Sequence, residues 1–443
     1  MDLVLTGATV VTALDPPKVT GGDVLVRGGR VAEVGGTIRA EHAERLDAAG
    51  CVVIPGNVCA HHHLYSALAR GMPYRLEPPE SFVQVLQRIW WRLDRALDGD
   101  AVWLSAWSGG ADAVLAGTTT IVDHHASPEA IEGSLDQVAE ALGQVGVRSV
   151  LCYEVTDRDG PERASAGVEE NRRFLKGGFP LALGLVGAHA SFTLSEETLG
   201  RCVELARDAD AGVHVHVAED AADERDAQTR FGMRVVERLV EAGALDDRSL
   251  LAHCVHVDEH EARLIRDAGA WVAHNPRSNM NNRVGRAPIG ALGDRVVLGT
   301  DGIDGDLFAE SRTAFWRARE ADPTVGPSWI LERLAASARM AGAVYEEPLL
   351  GRIQAGAPAD LVVLEYDPPT PLTAENLAGH WAFGLSAGHV RDVVVSGEFA
   401  VRDRRLTRAD EAEVRARCRD AAEALWRRMD DLPAHPFGPD GGA

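Results

Sequence analysis

The sequence predicts an α/β protein: a (β/α)8 barrel of the TIM type joined to a small β-sandwich domain built from both ends of the chain. Three observations point there. β-branched runs punctuated by glycine occupy the two ends. Apolar strands alternate with helical periods between them, and chemically capable side chains collect where those strands stop.

The ends are the simplest to read. LVLTGATVV, DVLVRGGRVAEVG and CVVIPG have the composition and punctuation of hairpins, and the same texture returns only in ADLVVLEYD and VRDVVVSGEFAVRDRRL. These runs set the expected boundaries. Residues 1–56 and 350–443 make the two parts of the small domain, the latter with a terminal helix and tail, and 57–349 make the barrel. PAHPFGPDGGA reads as a loose tail. A chain of 443 residues suits one large domain and a smaller one.

In the middle, TTTIVDHH, LALGLVGAH, GVHVHVAED, SLLAHCVH, AWVAHNP and RVVLGTDG read as strands. Stretches of helical period follow, such as FGMRVVERLVEAG and VDEHEARLIRDAG. Such alternation implies parallel pairing, in a doubly wound sheet or a closed barrel. The strand ends decide between them: His61, His63, His124, His125, His189, His216, His253, Asn275 and Asp301 all sit there. A barrel gathers the carboxyl ends of all its strands on one face, whereas a doubly wound sheet uses a single crevice.

Composition removes several classes of function. A formal charge of −22 argues against nucleic acid or an anionic membrane as partner. MDLVLTGATVV lacks the basic start of a signal peptide, and no stretch approaches the roughly 20 apolar residues of a membrane span. Six cysteines without a CxxC pair do not make a disulfide framework or a thiolate zinc site, so a reducing cytoplasm is the expected location.

The chemistry begins at CAHHHLYSALARG. His61 and His63 leave an extended chain on the same side, where neutral imidazoles can share one Zn²⁺ or Fe²⁺, and His62 faces away. In GVHVHVAED, His214 and His216 alternate likewise. Glu219 follows three residues later, near enough to a metal-activated water to shuttle protons, although a solvated carboxylate at a helix start is its ordinary reading. His214 suits packing or support of a ligand. His253 ends the next strand. Asp301, in RVVLGTDG, would balance a metal and accept a proton, where an isolated residue would be a turn aspartate.

HxH, HxHxxE, a lone histidine one strand later and TDG together resemble the amidohydrolase superfamily over nearly the whole chain, including GRIQAGAPADLVVLEYD near the C-terminus. The similar subgroup comprises aminohydrolases and chlorohydrolases of triazine, guanine, cytosine and S-adenosylhomocysteine. HLYSALARGM, RIWWRLDRALD, GTTTIVDHHASP, HASFTLSEE and NPRSNMNN most resemble its SsnA-type members, and HHHLY and DHH are also similar to 8-oxoguanine deaminases. The resemblance implies one divalent metal, Zn²⁺ before Fe²⁺, on His61, His63, His216 and Asp301. Glu219, His253 and Asp301 would be catalytic, and His189, His124, His125 and Arg70 would line the substrate pocket. Phe192, with Trp90 and Trp91, could wall a flat ligand, although core packing is the ordinary role of such rings. Cys59 and Arg277 depart from the family pattern, the latter within an NPESN-like segment.

Relatives with two metals bridge them by a lysine at the end of the fourth strand. Only Lys18 and Lys176 occur here, and neither sits at a strand end, which implies a single metal and no Schiff base. The implied activity is hydrolytic deamination of a cyclic amidine or guanidine, purine- or pterin-like, with release of ammonia. Hydrolysis of a cyclic amide or a carbon–halogen bond uses the same site, and a catalytically inactive scaffold is the reading from another class. The expected partner is a small heterocyclic substrate, with room for a homodimer.

Overall fold

The computed structural model describes residues 2–439. Strands β1 (Leu3–Leu14), β2 (Pro17–Arg27) and β3 (Arg30–Val34) form an antiparallel meander. β4 (Glu44–Asp47) and β5 (Val52–Pro55) run parallel to successive halves of β1. β1 is bulged between Leu5 and Ala8, where Gly7 takes a φ of +73°.

The barrel consists of β6 (Asn57–His62), β7 (Thr118–His125), β8 (Arg148–Tyr153), β9 (Ala182–Gly184), β10 (Val186–Ala190), β11 (Val213–Val217), β12 (Leu250–His253), β13 (Trp271–His274) and β14 (Val296–Leu298). Pairing is parallel throughout. β9 and β10 are one stave interrupted at Leu185, so the ring has eight. It closes where the amides of Thr300 and Asp301 both donate to the His61 carbonyl, at 2.9 and 3.1 Å. A Cβ on Gly299 would lie 2.4 Å from Asn275 Oδ1 and 2.7 Å from His61 Cβ, so this closure demands glycine.

The chain then returns to the first sheet. β15 (Leu361–Leu364), β16 (Val390–Val395), β17 (Glu398–Arg402) and β18 (Arg405–Leu406) extend it to nine strands, with β15 antiparallel to β5. Both chain ends therefore share one small β domain, hydrogen-bonded as a continuous sheet. Val53, Leu361 and Val363 enter its own core, and Val52, Ile54, Val362 and Leu364 enter the cluster shared with the barrel helices. Burial on both faces is why CVVIPG and ADLVVLEYD are unbroken apolar runs. CVVIPG belongs to this sheet, and the histidines that follow it lie on a strand of their own.

Helix Glu411–Asp430 leaves the small sheet and packs on the barrel helices Trp91–Ala96 and Gly99–Leu115. The loose-tail expectation is corrected over residues 433–439: His435 is buried there, with a hydrogen bond to Asp159. Residues 440–443 of that expectation lie outside the described residues. Among the described residues, no helix is long and apolar enough to cross a membrane.

Candidate metal centre

His61 lies on β6 and His216 on β11, while His63 and Asp301 lie just beyond β6 and β14. They meet at the carboxyl mouth of the barrel. His63 Nε2 is 3.1 Å from His216 Nε2 and 3.1 Å from Asp301 Oδ1, and His61 Nε2 is 3.6 Å from the same oxygen. Tetrahedral bonds of about 2.0–2.1 Å to zinc separate neighbouring ligand atoms by about 3.3 Å, so these spacings fit a cation at the centre.

The other ring nitrogens are occupied. His63 Nδ1–H donates to the His124 carbonyl at 2.6 Å, and His216 Nδ1–H to the His189 carbonyl at 2.8 Å. His61 Nδ1 pairs with His214 Nε2 at 2.9 Å. These partners orient each Nε2 towards the centre, the arrangement metal-binding imidazoles need. Buried His61 Nε2 has no hydrogen-bond partner among the described residues, which fits a coordination bond. Burial holds His61 and His216 well below the usual imidazole range, hence neutral. Burial would also lower His63, but Asp301 overrides it and raises His63 to about 9. Burial opposes charge on Asp301 too; the neighbouring His61 and His63 rings keep its carboxyl well below its ordinary value. The Ser278 hydroxyl donates to Asp301 Oδ2.

Two titratable side chains stand beside this ring. His253 Nδ1–H donates to Asn279 Oδ1 at 2.8 Å, and His253 Nε2 faces Glu219 Oε2 at 3.5 Å. Burial pushes the Glu219 carboxyl up to about 7, against the opposing pull of His253. His253 and Asp301 adopt left-handed backbone, with φ of +73° and +53°, a strained conformation that clusters at working sites.

The centre opens into a cavity lined by Phe82, Leu86, Trp90, Trp91, Glu154, His189, Phe192 and Glu219 among others. Trp90 and Trp91 therefore do more than pack the core. His189 reaches the cavity as a neutral ring, lowered to about 3 by burial despite nearby Glu154. His124 and His125 do not. His124 is wedged behind the centre between Glu154 and the His214 carbonyl, and His125 bonds Ser127 at 2.9 Å, so the expectation that they line the pocket is corrected. Arg70 is corrected as well: it is exposed on the outside of the barrel, paired to Asp112 at 2.8 Å. Arg277 ties Glu310 and Asp304 together instead of facing the cavity, and buried Cys59 bonds Thr300 at 3.2 Å. His62 turns away to Thr300 at 2.9 Å.

Glu154 is a cavity-lining position that sequence reasoning missed. It follows β8, RSVLCY, and a carboxylate at the end of that apolar run was the available signal. Burial opposes its charge, but His189, His124 and Arg158 hold it well below the usual carboxylate range. Asn279, Ser278 and Asn282 were legible only as part of NPRSNMNN, and contacts across the barrel give them their roles.

Residues 52–400 match the amidohydrolase family. The chain is 30% identical over 425 residues to a 5-methylthioadenosine/S-adenosylhomocysteine deaminase of Desulforudis audaxviator, covering 91% of this chain and 95% of that one. It is 28% identical to a 5′-deoxyadenosine deaminase of Methanosarcina mazei, over 97% of this chain and 99% of the relative. Its fold is that of an adenosine deaminase from Xanthomonas campestris solved with bound zinc: TM-score 0.82, 24% identity, covering 97% and 99% of the two chains.

Proposed function

This chain belongs to the amidohydrolase family, and within it we propose a hydrolytic deaminase of a purine-like heterocycle, with an adenosine-type nucleoside as the first substrate to test. The observation that carries this reading is Glu219. Its carboxyl, pushed up to about 7, faces His253 at the rim of an imidazole–carboxylate ring and opens into an aromatic cavity. A buried acid beside a nucleophile site suits protonation of a ring nitrogen next to the attacked carbon.

His61, His63, His216 and Asp301 would hold one divalent cation, Zn²⁺ before Fe²⁺, since three neutral nitrogens and a carboxylate suit either. When bound, that cation supplies a Lewis acid that makes water nucleophilic near neutral pH. Asp301, whose Oδ1 faces the imidazoles, accepts the proton that the attacking water loses. Glu219 delivers its Oε2 proton to the ring nitrogen, so no negative charge accumulates there. His253 Nε2, buried without a hydrogen-bond partner among the described residues, holds the oxygen joining the carbon. The proton taken by Asp301 then leaves with the amine as ammonia, and the new hydroxyl returns its proton to Glu219 as it becomes the carbonyl that replaces the amine.

The test is ammonia release from adenosine, 5′-deoxyadenosine, 5′-methylthioadenosine, S-adenosylhomocysteine, guanine and pterins. The expected result is conversion of at least one to the carbonyl product. Opening of a lactam or dechlorination of a heterocycle, with no ammonia from any of these amines, would overturn the reading.

A further inference from the structure

We propose that the C-terminal tail is a built part of the substrate cavity: His435 and Phe437 are positioning residues that hold Trp91, and with it the aromatic wall. The proposal rests on the reading above that this cavity receives the substrate.

Trp91 lines the cavity yet is only 1% exposed, so other groups must cover nearly all of its ring. The tail supplies two of them. The His435 ring packs against the indole at 5.4 Å and 73°, and the Phe437 ring at 5.8 Å and 78°, both edge-to-face. Phe192 and the Arg158 guanidinium cover other parts, at 6.3 and 5.3 Å. Phe437 thus belongs to the same apolar cluster as Phe82, Leu86 and Phe192 of the cavity wall.

Backbone hydrogen bonds place the tail there. The His435 amide donates to the Gln87 carbonyl at 2.8 Å, and the Gln87 side-chain amide donates to the Phe437 carbonyl at 2.8 Å. Arg92 Nε donates to the Leu432 carbonyl at 2.8 Å. All three anchors lie on or beside the widened π-helical turn Leu86–Trp90, a geometry that a helix adopts at some cost and often at functional sites. This turn delivers Trp90 and Trp91 to the cavity, and the tail braces it from outside.

A polar route runs in parallel. His435 Nε2 bonds Asp159 Oδ1 at 3.2 Å, and Asp159 Oδ2 accepts from Arg158 Nε at 3.3 Å. Arg158 Nη1 donates to Glu154 Oε1 at 3.1 Å, and Glu154 lines the cavity. One short tail therefore supports both the apolar wall and the carboxylate across from it.

The test compares zinc-loaded full-length Phe437→Ala, Phe437→Leu and His435→Gln with a chain ending at Leu432. Hydrogen exchange of residues 82–96 and the kinetics of 5′-deoxyadenosine deamination are followed. Phe437→Ala is expected to exchange about tenfold faster across 86–92, with unchanged exchange in β6 and β11 and full zinc content. KM should rise about fivefold while kcat stays within about twofold, because the wall binds the substrate and does not carry the chemistry. Phe437→Leu should recover part of both effects, and the truncated chain should exceed Phe437→Ala. Exchange across 86–92 unchanged in full-length Phe437→Ala overturns the proposal, even if the truncated chain fails to fold. Faster exchange with an unchanged KM overturns it too, leaving the tail a stabilising strap alone. If the wild type leaves 5′-deoxyadenosine intact, that nucleoside reading fails separately, and KM is read instead on whichever amine of the panel above releases ammonia.

Discussion

Glu219 Oε2 and His253 Nε2 face each other at 3.5 Å, and both side chains are held from behind by asparagines of one short helix, Pro276–Asn281, and its cap. Asn279 accepts the His253 Nδ1 proton at 2.8 Å, and Asn282 donates to Glu219 Oε1 at 3.4 Å. A proton placed between the two can reach either, which suits a group that must deliver one to the substrate and recover one from water.

That relationship makes Glu219→Gln informative. The amide preserves shape and the Asn282 contact region but cannot donate an acidic proton. We expect kcat to fall by about 10² or more, the scale of a lost general acid–base, with metal content and melting temperature unchanged. Near-normal turnover would return Glu219 to an ordinary helix-start carboxylate.

Metal analysis separates ligands from their supports. His216→Ala should lose the cation, since it removes one of four donors. His214→Ala removes only the partner of His61 Nδ1 and should weaken binding about 10- to 100-fold, leaving protein still metal-loaded when zinc is in excess. Full zinc occupancy without His216 would refute the assigned ring.

Binding should also depend on pH, with a sign that His63 determines. In the metal-free protein burial lowers its pKa but Asp301 raises it to about 9, so below that pH Nε2 carries a proton that a cation must displace. Apparent affinity should therefore fall as pH falls, by about one decade per pH unit between about pH 6 and 8, measured by competition with a zinc chelator. A flat profile would mean that His63 Nε2 carries no proton in the metal-free protein.

Gly299→Ala tests the closure of the barrel. The added methyl would press on Asn275 and on His61 itself. We expect a loss of about 1–3 kcal/mol in stability, read from denaturant unfolding, together with weaker metal binding, because the strain falls on a ligand. Wild-type stability and affinity would show that the β14–β6 junction has slack.

Local chemistry alone determined much of this protein. Alternation along β6 and β11 sets His61 and His63 to one side and separates His216 from its neighbours, because successive strand residues point to opposite faces. The unbroken apolar runs of β5 and β15 announce strands buried on both sides. Only tertiary structure decided which histidines see the cavity. His124 and His125 sit at a strand end as His189 does, yet the first two turn behind the wall, since their direction depends on Glu154 and Ser127, partners brought together by the closed ring. Arg70 faces outward for the same kind of reason, drawn to Asp112 on a neighbouring helix. The role of the tail was invisible in PAHPFGPDGGA, whose prolines and glycines read as irregular chain. The contacts of residues 433–439 come from Gln87, Trp91 and Asp159, far away in sequence and adjacent only once the barrel has closed.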